Sequence, residues 1–332
     1  MTQSTATHSA ATSASELNFD FKNATEELNF SRTIDKDLVH RLALAEVFVT
    51  DFETIGRDRF IVAAQLPVGH AVYNDGGNGH HDPLAIIEAC RQAALVIAHK
   101  AYGVPRDWSF IFRNAKASIE DVSTTRITDG RMLIGVNIAR TFEKDGFTTG
   151  MLGDFVVEID GNLVGSFTGS LSFLPKSVMH RMRAASRSTK ALPESLYVSP
   201  LSALPTRSVG REVSKNIVIG RRGADTYEII DHSSNRALVD HEVDHVSGMV
   251  IMEACRQSAI AATFDETGEM FCTVSSYAVD FTEFAEREVA VTCEATVIGV
   301  VDGVAQTHIE VIQQGNVIAT AQIDLERTAQ NA

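Results

Sequence analysis

Residues 88 to 94 read EACRQAA and residues 253 to 259 read EACRQSA, one copy in each half of a 332-residue chain. A near-identical heptapeptide at that separation implies a duplicated fold, so any architecture given to one half must also serve the other. Three further matches extend the duplication. Val39-His40-Arg41 answers to Val209-Gly210-Arg211. The β-rich stretches AEVFVT (45–50) and RFIVAAQLP (59–67) answer to KNIVIG (215–220) and TYEIID (226–231). VVEIDGNLVGSFTG (156–169) answers to IEVIQQGNVIATAQ (309–322), with Gly161-Asn162 opposite Gly315-Asn316 as hairpin signals.

The order in each half is strands, one long helix, more strands. The two helices are expected over Leu84 to His99 and Met249 to Phe264. In LAIIEACRQAALVIA (84–98) apolar residues fall all round the 3.6-residue period, so the helix must be enclosed on nearly every side. A curled antiparallel sheet wrapped round it would do that. The expected fold is α+β, a tandem (double) hot-dog. Residues 1–36, rich in Ser, Thr and Ala at the start, read as a disordered leader. Residues 37–175 form the first repeat, 176–206 a basic linker, 207–327 the second repeat and 328–332 a tail.

Glutamate, arginine and glutamine inside an enclosed helix need a reason. Glu88, Arg91 and Gln92 share one face, as do Glu253, Arg256 and Gln257. Desolvating each charge costs several kcal/mol, and a buried pair seldom returns more than apolar packing would. A duplicated polar face therefore points to a site as well as to docking of the halves. His80 and His245 stand at equivalent places, eight residues before each glutamate, at the helix mouths. Pro83 removes one N–H from the first mouth, whereas Ser247-Gly248-Met249 leaves amides at the second that can hold an oxyanion or a phosphate. The second copy is expected to carry the chemistry.

The net charge of -14 argues against general nucleic-acid binding. Lys176 to Arg222 nevertheless hold ten Lys and Arg against two acids, an island suited to an acidic partner or a phosphate. Arg181, Arg183, Arg187, Arg221 and Arg222 are its candidate contacts. No apolar run is long enough to span a membrane and the N-terminus lacks the features of a secretory signal, so the expected location is the cytoplasm. Cys90, Cys255, Cys272 and Cys293 lack metal-ligand spacing and read as reduced structural residues. DGGNG (75–79) lacks the Lys-Ser/Thr of a P-loop, and HEVDH (241–245) lacks the order of a zinc motif. No metal or cofactor is expected.

LVHR (38–41), AEVFVTD, RFIVAAQLP, HDPLAIIEACRQAA (81–94) and DHVSGMVIMEACRQSA (244–259) together resemble the A-factor biosynthesis (AfsA-type) proteins of streptomycetes, over about Leu38 to Glu326. Ser247 departs from the proline usual there. The second motif is also similar to that of hot-dog β-hydroxyacyl-carrier-protein dehydratases. Glu253 falls on their catalytic acid, but their catalytic histidine would fall on Val239, which weighs against dehydration. The resemblance implies transfer of a β-ketoacyl group from an acyl carrier protein to dihydroxyacetone phosphate, giving an ester that closes to a butenolide phosphate on the way to a γ-butyrolactone-type signal. For that chemistry Glu253 is the expected base or hydroxyl orienter, Gly248 and Met249 the oxyanion donors, and Arg256 and Arg91 the phosphate or carboxylate partners. His245 assists, Glu88 is a further catalytic candidate whose loss would act through catalysis or through docking of the halves, and Gln92, Gln257 and His80 bind substrate. The rival readings are a dehydratase or thioesterase, and a non-catalytic acyl-binding sensor. A homodimer is compatible with all three.

Overall fold

A computed structural model describes residues 17–76, 79–230, 232–241 and 243–327. A short leader helix, α1 (Phe21–Glu27), precedes β1 (Val49–Gly56), β2 (Arg59–Gln65), helix α2 (Pro83–Lys100), β3 (Ser109–Ile119), β4 (Arg131–Lys144), β5 (Phe147–Ile159) and β6 (Asn162–Leu174). Helix α3 (Lys176–Ser188) opens the stretch between the repeats. The second half follows with β7 (Ile219–Arg221), β8 (Thr226–Ile229), helix α4 (Gly248–Thr267), β9 (Phe271–Phe281), β10 (Thr292–Val301), β11 (Val304–Gln313) and β12 (Asn316–Arg327). Four hairpins turn on Asp145-Gly146, Asp160-Gly161, Asp302-Gly303 and Gln314-Gly315, all with φ between 48° and 82°. That is the geometry a tight hairpin needs to match strand twist, and both halves repeat it.

The twelve strands form one sheet in the order β1-β2-β4-β5-β6-β3-β9-β12-β11-β10-β8-β7. Read outward from the middle, each half has the same sequence of strands, so the halves are related by an approximate twofold passing between β3 and β9. Those two strands pair antiparallel from Asn114 opposite Asp280 to Ser118 opposite Ser276. Every residue of α2 from Leu84 to His99 is buried except Arg91, and every residue of α4 from Val250 to Thr263 is buried without exception. The all-round apolar pattern is thus explained by enclosure, and the single gap marks where one helix meets open space.

The leader corrects an expectation. Residues 1–16 and the tail 328–332 lie outside the described residues, but residues 17–36 are not structureless. Phe21 and Ala24 of α1 pack with Leu17, Phe19, Leu28 and Phe30 on Ile61, Ala63, Leu133 and Val156, the outer face of β2, β4 and β5. Strand alternation turns these residues away from the main core, and their apolar side chains need a cover. Phe19 lies over Gly135, where even a methyl group would stand 2.4 Å from its ring. Arg59 stacks on Phe19 and donates to the carbonyls of Leu17 and Asn18.

Candidate active site

The (i, i+3) spacing brings glutamate and arginine together in both helices, and the tripeptide repeat supplies a second arginine to each. Glu88 receives Arg91 through Nε at 2.8 Å, Arg41 Nη2 at 2.5 Å and Gln92 Nε2 at 2.8 Å. Glu253 receives Arg256 Nη2 at 2.8 Å, Arg211 Nε at 3.0 Å and Gln257 Nε2 at 2.5 Å. Burial alone would favour the neutral acid. The arginines outweigh it, and Glu88 is held at a pKa of about 2, with Glu253 also lowered by Arg211 and Arg256. Both carboxylates are ionised, and at Glu253 all three hydrogen bonds converge on Oε1.

The approximate twofold sets each cluster against the helix mouth of the opposite half. Asp82, the N-cap of α2, lies 3.2 Å from Arg256 and 3.6 Å from Arg211. At the other junction the mouth of α4 faces Arg41 and Arg91 across a cleft of about 290 Å³, lined also by His40, Phe112, His241, His245, Ser247, Gly248 and Met249. The space at the first junction is only about 30 Å³. One junction is closed and the other open.

The closed junction balances two arginines with two carboxylates, Glu253 and Asp82. At the open one Ser247 replaces Asp82, so Arg41 and Arg91, joined on the cleft wall by Arg113, have no counterpart of that carboxylate; Glu88 lies behind them, Glu46 acts on Arg41, and Asp240 and Glu283 also line the cleft. Asp75 and Asp240 do not alter the comparison, because each caps equivalent backbone amides of the opposite half, at Glu212 and Val213 and at Leu42 and Ala43. The helix ends differ in the same sense. Asp82 takes the Leu84 amide and Pro83 has none, whereas the amides of Gly248 and Met249 have no partner among the described residues. A cationic rim and open helix amides converge on one cleft, an arrangement made for an anion.

The expected site residues divide accordingly. Gly248, Met249, His245 and Arg91 meet in the open cleft. Glu253 and Arg256 do not line it. They lie in the closed junction, so the second heptapeptide is not the copy facing the amides of its own helix. The pairing runs across the halves, which the spacing within a single helix does not reveal. Glu88 sits behind Arg41 and Arg91 with 1% exposure. His80 is at the closed mouth, 3.1 Å from Thr125 Oγ1. Gln92 and Gln257 are corrected from substrate contacts to struts. Both are wholly buried, take the Phe48 and Val218 amides, and donate to the Glu46 and Asn216 carbonyls.

The basic island is also largely spent inside the fold. Arg183 is buried against Glu286 and Asp244, so it is no surface contact. Arg187 pairs with Glu286 and Glu288, Arg221 with Asp265 and Arg222 with Glu228. Arg181 is exposed on α3. Sequence reasoning gave no role to Arg41, His40, Arg211 or Asp82, although the tripeptide repeat that contains three of them was visible.

A family model described as the A-factor biosynthesis hotdog domain matches residues 23–175 and 197–328. The chain belongs to this family. With the sheet order and the two enclosed helices, membership makes the fold a tandem hot-dog. Among curated relatives, the 2-oxo-3-(phosphooxy)propyl 3-oxoalkanoate synthase of Streptomyces coelicolor is 28% identical over 68% of this chain and 71% of its own. The protein of the same name from Streptomyces virginiae is 26% identical over 69% and 76%. A solved 12:0-ACP thioesterase from Umbellularia californica overlaps 83% of this chain and all of its own at 15% identity and a TM-score of 0.47, too loose to argue from. No helix among the described residues is long and apolar enough to cross a membrane.

Proposed function

We propose that the chain is an acyltransferase that moves a 3-oxoacyl group from the thioester of an acyl carrier protein to the free hydroxyl of dihydroxyacetone phosphate. The name of the relatives describes such an ester. The observation that carries the reading to this chain is the open junction, where Arg41 and Arg91 face the free amides of Gly248 and Met249 with no counterpart of Asp82 between them. The arginines suit the phosphate of the acceptor, and the amides suit the oxyanion formed on the thioester carbon. A narrow apolar recess lined by Ile87, Cys90, Ala94, Met151 and Phe167 shares Arg91 and Phe112 with the cleft and would take the start of the acyl chain. In the ester the carbon between the two carbonyls is acidic and lies within reach of the acceptor ketone. Closing that bond with loss of water gives a butenolide phosphate, a precursor of γ-butyrolactone-type signals. Arg181, exposed on α3, is a residue of the basic island open to an acidic carrier protein.

Mass spectrometry of products formed from a 3-oxoacyl carrier, with and without dihydroxyacetone phosphate, tests the reading. The phosphorylated ester is expected only with the acceptor present. Arg91→Ala should raise the KM for the acceptor by about 30-fold or more, the effect of removing one partner from a desolvated charge pair. Free acid released at the same rate without the acceptor would assign a thioesterase instead.

A further inference from the structure

His40 occupies a backbone position that the other repeat builds with glycine. Its φ is +55°, and Gly210, the counterpart, takes +65°. Among the described residues, the other non-glycine positions with positive φ are Asn18 in the leader and Asp58, Asp145, Asp160, Asp302 and Gln314 in hairpin turns. A bulky side chain in this region is sterically disfavoured, and such outliers gather at functional sites. At Gly210 there is no room for a ring, since a Cβ would stand 3.0 Å from Cys272 Sγ and 3.3 Å from Ile260 Cδ1. His40 instead lines the open cleft beside Arg91, stacked on His99 with ring centroids 5.2 Å apart and edge-on to Phe110 at 4.7 Å.

The hydrogen bonds fix where its proton lies. His99 Nδ1 is 2.7 Å from the Val104 carbonyl, which can only accept, so His99 carries its hydrogen on Nδ1. His99 Nε2 is then an acceptor. It lies 3.0 Å from His40 Nε2, which must donate. In neutral His40 this leaves a lone pair on Nδ1, which has no partner among the described residues and is not sealed from solvent. Burial first, then His99 and Arg91 of α2, Lys176 of α3 and His241 of the loop before α4, depress the His40 pKa to about 4, and burial lowers that of His99. Both rings are neutral near neutral pH.

We propose that His40 Nδ1 accepts the proton of the hydroxyl that attacks the thioester, with His99 as the positioning residue that holds its tautomer. The proposal rests on the acyl-transfer reading above. The new C–O bond forms as the O–H bond gives its proton to Nδ1. The tetrahedral adduct expels the carrier sulfur as the C–S bond breaks, and the imidazolium returns the proton to that sulfur. Alcohol and thioester become ester and thiol, with no other reagent. A bound phosphate places negative charge beside the cations that depress His40 and so strengthens it as a base. His245 also lines the cleft, with Nδ1 2.7 Å from Asp244. Its counterpart His80 stands at the closed junction, however, so His245 is not what sets the open one apart.

H40G is the informative variant, because the second repeat makes the same turn with glycine. H40N, which also tolerates this backbone region, guards against a folding defect. Thiol release from a 3-oxoacyl carrier is followed with and without dihydroxyacetone phosphate and with added imidazole. H40G should lose about 10²- to 10⁴-fold in kcat with little change in acceptor KM, and imidazole should restore part of the loss. H99F should lower kcat at unchanged KM, and ¹⁵N spectra should lose the single His40 tautomer. Wild-type turnover by H40G and H40N, or a slow H40G that ignores imidazole while H245G responds to it, would overturn the assignment. Thiol release by wild type that does not depend on the phosphate acceptor strikes at the acceptor reading instead, and the H40G comparison then tests the same base with water as nucleophile. Absence of thiol release from wild type overturns both.

Discussion

Arg256 and Arg91 hold equivalent places in the repeat, yet their removal should have opposite consequences. Arg256 stands between Glu253 and Asp82, all three buried. Arg256→Ala leaves two carboxylates with Arg211 alone, and breaking a buried ion cluster in this way costs about 3–5 kcal/mol. Urea denaturation should show that loss, whereas Arg91→Ala, on the cleft wall, should lose much less stability and mainly weaken acceptor binding. Equal stability of the two variants would mean that the closed junction does not hold the halves together. The glutamate, arginine and glutamine of each helix were legible from the (i, i+3) and (i, i+4) spacing, as was the contrast between Pro83 and Gly248. Which cluster faces which helix mouth was not, because it depends on how the halves dock. Asp82 had no role in sequence, and only its 3.2 Å approach to Arg256 makes it the group that fills the closed junction.

Helices α2 and α4 could be found from sequence because enclosure writes apolar residues on every face. The leader could not, since α1 is a seven-residue segment whose packing partners lie in β2, β4 and β5. Its anchor is legible only in space, where Gly135 leaves the gap that Phe19 fills. Gly135→Ala should push Phe19 off the sheet, and hydrogen exchange at the amides of residues 21–27 should quicken while the cleft stays intact. Unchanged exchange would show that Phe19 is not what ties the leader down. Helix α3 shows the reverse case. Its basic residues read as a linker surface in sequence, and Arg183 and Arg187 instead fasten the helix to Glu286 and Glu288, acids about a hundred residues further along the chain.

Across the whole molecule, histidines with lowered pKa values should make stability fall on the acid side of neutrality. The pKa of His40 falls from an ordinary 6.5 to about 4, and those of His81 and His99 are also lowered, chiefly by burial. Between 6.5 and 4 the unfolded chain therefore binds protons that the folded chain refuses. The part of the stability that these histidines contribute is complete above pH 6.5 and is lost as pH falls towards 4. Glu88, ionised down to about 2 against an ordinary 4.5, extends the loss further into acid. Denaturation curves from pH 8 to 4 should show the decline, and H40G should flatten part of it. A wild-type stability that is level over that range would contradict the neutral pair.

In a dimer of identical subunits every substitution is made twice, so Asp82 could not close one junction without closing the other. Fusing two copies into one chain removes that restriction. One junction can then harden into a keystone while its twin drifts towards openness, charge and a histidine in a glycine's place. On the proposed reading, one junction would then do the chemistry, and its twin would serve as an abutment that need not admit substrate.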